Sequence, residues 1–181
     1  MPNNNNLPVR ADVLAAAERI AGLVRETALK PLQLDGHKLW LKCESLQTGG
    51  SFKLRGASNR LALLSEAERR AGVVAFSSGN HAQGVAIAAR RMGVPATIVM
   101  PSDAPAPKVE GTRAQGAEIV FYDRRSEDRV AIARELAAKR GAVVVPSFDD
   151  PHIIAGQGTA GLEILEQCPE PVRQIIVCCG G

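Results

Sequence analysis

Apolar positions along this chain follow two periods in turn. Val13, Ala16, Ala17, Ile20, Leu23 and Val24 recur at the spacing of one helical face, with Asp12 placed to cap that helix. "HKLWLKCE" (37–44) alternates and predicts a strand. A glycine-bearing loop follows, and a helix is expected from about Ser51 through "KLRGASNRLALLS". Then the periods alternate regularly. Strands are predicted at 72–77, 96–101, 117–123 and 142–146, with helices at 80–93, 106–116 and 126–141 between them. Ser126 is the expected cap of the last of these, with acids in its first turn and Lys139, Arg140 and Gly141 closing it.

Short strands alternating with helices imply an α/β fold, with parallel sheets covered by helices on both faces. A further helix is predicted over about 153–167, followed by "QIIVCC" (174–179), read as a strand apolar on both faces. Such a strand belongs inside a sheet, and the glycines after it read as a functional turn that leads no further. The chain is therefore expected to be the N-terminal portion of a longer protein. Residues 1–10 read as a polar, disordered arm.

Composition narrows the class. Of 181 residues, 45% are hydrophobic and 23% charged, the balance of a soluble globular protein. The net charge of +3 is mild and the 22 Lys and Arg are dispersed, which argues against nucleic acid. One Tyr, one Trp and four Phe are too few for a base-stacking platform. Cys43, Cys168, Cys178 and Cys179 form no CxxC pair, so no metal site is expected and the thiols read as free in a reducing compartment. The N-terminus lacks a signal-peptide core and no apolar run approaches the ~20 residues that span a bilayer. The expectation is a cytoplasmic protein without membrane contact.

Three stretches could carry chemistry. "GQGTAG" places Gly156, Gly158 and Gly161 in a GxGxxG spacing, but no strand directly precedes it and the glycines sit in a helical pattern. Close helix packing is the expected role. "FSSGNHAQG" (76–84) puts Ser77, Ser78, Gly79, Asn80 and His81 between a strand end and a helix start, where unpaired N–H groups and the helix dipole favour an anion such as a carboxylate. His81 alone reads as a structural histidine rather than a base. "LQTGGSFKLRGA" (46–57) places Lys53 at a helix start beside Arg55. The helix's positive end and Arg55 would both lower the ammonium's pKa, and a neutral lysine is a nucleophile or base.

Taken together, "SFKLRGA", "SSGNHAQG", "IAGQGTAGLEI" and an apolar strand running into glycines resemble the pyridoxal-phosphate-dependent serine/threonine dehydratase family, which includes serine racemase and shares the tryptophan synthase β-subunit-like fold. The resemblance covers nearly all of residues 12–181. It implies that Lys53 joins pyridoxal 5'-phosphate through a Schiff base, with Phe52 beside the cofactor. It implies that Asn80 bonds the cofactor's 3′-hydroxyl and that Ser77, Ser78, Gly79, Asn80 and His81 hold the substrate carboxylate. Ser78 matches the serine that acts on the opposite cofactor face in racemases. Gly180 and Gly181 match half of the glycine loop that cradles the phosphate. Gly49 departs from the family's usual Thr or Ser, which implies a more mobile loop.

The resemblance further implies a larger cofactor domain from residues 1–52 and 148–181, incomplete here, and a small mobile domain from 53–147. The implied activity is an ammonia-lyase that turns L-threonine, L-serine or a related β-hydroxy amino acid such as hydroxyaspartate into a 2-oxo acid and ammonia. An amino-acid racemase and an inactive truncated domain are the alternatives. Relatives of this kind are usually dimers or tetramers, so a homo-oligomer acting on a small amino acid is expected.

Overall fold

The structure, a computed structural model, describes residues 7–178. Its centre is a four-stranded sheet of β3 (Val73–Phe76), β4 (Ala96–Pro101), β5 (Glu118–Tyr122) and β6 (Val143–Val144), parallel throughout and ordered β5-β4-β3-β6. The side-chain period of two sorts each strand to two faces. Val73, Ala75, Ile98 and Met100 face one core with Leu54, Leu61, Val85 and Ala89, from α2 (Lys53–Ala62) and α4 (Asn80–Met92). Val74, Val99 and Tyr122 face a second, smaller core with Ala133 and Ala137 of α6 (Arg129–Arg140). The predicted α/β architecture is therefore present, with helices on both faces of the sheet.

α1 (Arg10–Ile20) and α7 (Pro151–Gln167) pack with α2 in a helical layer beside the sheet. α7 and α2 meet through glycines. A Cβ on Gly156 would lie 2.6 Å from Gly56 Cα and 2.8 Å from the Arg55 carbonyl, so the backbones touch. A Cβ on Gly158 would press on Val13 at 3.1 Å. Close helix packing is thus the role of the first two glycines of "GQGTAG". A short helix, α3 (Glu66–Ala71), starts with a capping box between Ser65 and Glu68, and α5 (Ala106–Arg113) links β4 to β5.

Several boundaries differ from the sequence expectation, each for a local reason. α1 starts at Arg10, inside the predicted arm, and Asp12 lies in its first turn, where it accepts the Val9 N–H at 2.8 Å rather than forming the cap itself. α6 begins at Arg129 with Asp128 as cap, its carboxylate accepting the Val130 N–H at 2.8 Å. Ser126 does not cap it, because its hydroxyl donates to Asp123 and its N–H to the Asp123 carbonyl in a preceding turn. A strand absent from the sequence reading, β1 (Leu29–Leu34), pairs antiparallel with β2 (His37–Lys42). Pro31 masks its pattern, whereas the Asp35-Gly36 pair, with φ of 50° and 79°, is the hairpin signal. Residues 174–178 are not a strand: no described strand pairs with them, and Ile176 and Val177 are 80% and 73% exposed. Residues 1–6 of the predicted arm, Cys179, Gly180 and Gly181 lie outside the described residues. No described helix is long and apolar enough to cross a membrane.

Candidate functional site

The strand order locates a crevice. From β3 the chain moves outward to β4 and β5, then returns to β6 on the other flank of β3. All four strands point the same way, so the loops after β3 and β6 leave the sheet side by side where the order reverses. Open parallel sheets bind ligands at that position. The loop after β3 is Ser77–Gly79, and the one after β6 runs over residues 145–150, of which Val145–Ser147 lie nearest the sheet.

The first loop turns directly into α4. Ser77 extends the ladder by donating its N–H to the Val99 carbonyl, and its hydroxyl accepts the Gly79 N–H at 3.1 Å. The cap of α4 is Gly79, which has no side chain to satisfy the first-turn N–H groups, so these remain available to an anion. Ser78 is half-buried in the loop and Asn80 is exposed at the start of the helix. The Asn80 side-chain oxygen accepts from the Lys108 ammonium at 3.4 Å.

His81, one residue on, is only 3% exposed. Its Nε2 lies 3.1 Å from the Val145 carbonyl, which can only accept, so Nε2 carries the proton. Nδ1 is buried without a partner. Burial pushes the ring's pKa down to about 4; the bond to Val145 works against this and the Lys53 charge adds to it. The ring is therefore neutral and ties the β3 loop to the β6 loop, in line with the structural role expected of it.

Lys53 reaches the same place from α2. It is the first residue of that helix, and its ammonium donates to the Ser147 carbonyl at 2.8 Å. Its pKa is lowered by burial. Arg55, expected to contribute to that lowering, does not: its guanidinium turns away, fully buried, into Glu44 and Glu163. Phe52 is 42% exposed, with its ring centroid 5.3 Å from the Lys53 nitrogen. α4 approaches Lys53 closely through Gly84, where a Cβ would lie 3.1 Å from the Lys53 carbonyl carbon. Gly49, in the loop before Lys53, has φ 81°, and a Cβ there would meet Ile87 at 2.7 Å. An open groove of about 530 Å³ runs along Gln83, Ile87 and Arg90 of α4; Gly49 lines it, but Lys53, Phe52 and residues 77–81 do not.

The fold thus brings Lys53, Phe52, the 77–81 loop and the 145–147 loop together. Ser147, Val145, Gly84 and Lys108 were not legible as site residues. Two of them act through main-chain carbonyls, which no residue type announces. Gly84 had a signal, a glycine inside a helix. Among the described residues no group of three or more His, Cys, Asp or Glu could hold a metal ion.

Residues 20–181 match the family model described as "Pyridoxal-phosphate dependent enzyme". The chain is 53% identical over 174 residues to L-threo-3-hydroxyaspartate ammonia-lyase of Pseudomonas sp, covering 94% of this chain and 54% of that protein. It is 47% identical to L-threonine ammonia-lyase of Thermotoga maritima, covering 94% and 43% respectively. The structure of maize serine racemase superposes with a TM-score of 0.85 at 41% identity, covering 88% of this chain and 50% of that one. The chain spans about half the length of the curated relatives it matches.

Proposed function

This chain belongs to the pyridoxal-phosphate-dependent enzyme family, and from that premise we propose that it carries the cofactor-binding lysine of an ammonia-lyase acting on L-threonine, L-serine or a related β-hydroxy amino acid such as L-threo-3-hydroxyaspartate. The observation that carries the reading is the Lys53 amine: desolvated, at the strand-order reversal, next to a helix N-terminus free to take an anion.

The residues present fit the cofactor. An aldehyde reacts with a neutral amine, and burial biases Lys53 toward that form. Phe52 offers an exposed ring beside the amine, and Asn80 an exposed amide at the mouth of the loop. Lys53 would carry pyridoxal phosphate, with Phe52 against it and Asn80 bonding its hydroxyl. Gly180 and Gly181 would contribute to its phosphate site. When bound, the cofactor supplies an electron sink for the charge left at the substrate's Cα.

The chain's own residues account for the rest. First-turn N–H groups of α4, with Ser77, Ser78 and Asn80, bind the substrate carboxylate and orient Cα–H. The Lys53 amine, when free, takes the α-proton as general base. The Ser147 carbonyl holds that amine in place. His81 stays neutral and adds no competing positive charge to the site. Residues 53–147 carry the sheet and the carboxylate loop, and are proposed to move as the smaller lobe.

Amino-acid racemisation is the second reading, favoured by Ser78 in the loop and by the likeness to maize serine racemase. Incubation of the chain with pyridoxal phosphate and each substrate separates the two. The first reading predicts 2-oxo acid and ammonia in equal amounts, with no D-serine from L-serine. D-serine without 2-oxo acid would establish the second, and neither product would reject both.

A further inference from the structure

Arg55 lies two residues after Lys53 in the first turn of α2, yet its side chain points the opposite way and is 0% exposed. Two carboxylates grip it. Glu44 accepts from Nε at 2.9 Å and from one terminal nitrogen at 2.7 Å. Glu163 of α7 accepts from both terminal nitrogens, at 2.5 Å and 2.9 Å. The Thr159 hydroxyl accepts the fifth N–H at 3.2 Å, and the Arg25 carbonyl shares one already directed at a carboxylate, at a longer 3.4 Å. Lys42 pairs with Glu163 at 2.6 Å, so two cations face two anions and the cluster is neutral.

The placement of the two acids matters more than their charge. Glu44 precedes the loop 47–52, whose Gly49 and Gly50 have φ of 81° and 74°, and Arg55 follows it. The Glu44–Arg55 fork closes that loop at its ends. The Glu163–Arg55 fork pins the same turn to α7 from the other side. A fork gripped on two edges fixes direction as well as distance, which a single ammonium cannot do. The Lys53 backbone is thus held on one side by this cluster and on the other by Gly84 of α4.

We propose that Arg55 is a positioning residue: its clamp by Glu44 and Glu163 fixes the first turn of α2 and thereby aims the Lys53 amine into the crevice. This inference rests on the proposed role of Lys53 and adds to it a device that sets where the amine sits. Arg55 touches neither cofactor nor substrate.

The test compares the unchanged chain with R55K and E44Q. Each is treated with pyridoxal phosphate and borohydride, and labelling is read by peptide mass at Lys53 against exposed Lys30, as a function of pH. Backbone amide exchange over residues 47–56 is measured in parallel. R55K keeps the charge and loses the fork; E44Q keeps Arg55 paired to Glu163 and serves should R55K not fold. His81, whose ring feels the Lys53 charge, is held neutral by burial at pH values above about 4. Displacement of a reacting group by about 1 Å can cost on the order of a hundredfold, so labelling at Lys53 should fall by tenfold or more. Its pH profile should move up as the desolvation that lowers the Lys53 pKa is relieved, and amides 47–56 should exchange faster. Folded variants with unchanged labelling, profile and exchange would overturn the clamp while leaving Lys53 in its role. Absence of Lys53 labelling in the unchanged chain would instead reject the proposed function, and amide exchange would still decide the clamp.

Discussion

The Lys53 ammonium donates to the main-chain carbonyl of Ser147 across 2.8 Å, although 94 residues separate the two. This bond joins the first turn of α2 to the loop after β6, at the crevice where the strand order reverses. It exists because β6 returns to the flank of β3 instead of extending the sheet beyond β5. The site is thus a product of topology, and its acceptor is a backbone atom.

Replacement of Lys53 separates function from stability. Burial lowers the Lys53 pKa, so the folded state carries a partly desolvated ammonium that the unfolded chain does not. Lys53→Met should remove cofactor uptake and leave the melting temperature no lower than that of the unchanged chain. A clear drop in melting temperature would show that the amine is chiefly structural.

The helix crossing at Gly56 and Gly156 gives a sharper contrast. Gly156→Ala puts a methyl 2.6 Å from Gly56 Cα, so α2 and α7 must separate. A loss of roughly 1–3 kcal/mol is expected in urea denaturation. Gly161→Ala meets nothing within 4 Å and lies inside the same helix, so it should stabilise by about 0.5–1 kcal/mol through helix propensity. Equal effects at the two positions would contradict the packing account.

His81 predicts an acid-side loss of stability. Its folded pKa is about 4 against an ordinary 6.5, so between those values the unfolded chain binds the extra proton. Its contribution is fully present above the ordinary value and is lost as pH falls toward the folded one, to a total of ~3 kcal/mol. His81→Gln should flatten stability against pH across that window, measured by urea denaturation on either side of it. An unchanged slope would show that other groups govern the acid side.

Much of this architecture was legible from periodicity alone. The alternation between residues 72 and 146 was strong enough to place all four strands of the sheet, and "SSGNHAQG" to lie at a strand-to-helix turn. Failures came where a local pattern met a competing partner. Asp123 captured Ser126 before it could cap α6. Residues 174–178 read as a strand from hydrophobicity, but a strand also needs a ladder, and no described strand pairs with them. The Arg55 misreading was of the same kind. Proximity in sequence suggested an electrostatic neighbour of Lys53, whereas the guanidinium had two carboxylates to satisfy on the opposite side of the helix.

The most direct test of the central claim is where pyridoxal phosphate attaches. The chain is incubated with the cofactor, reduced with borohydride, digested and mapped by mass. The account predicts that the added mass falls on the peptide containing Lys53, ahead of exposed lysines such as Lys30 and Lys139. A map with label on those exposed lysines and none on Lys53 would contradict it.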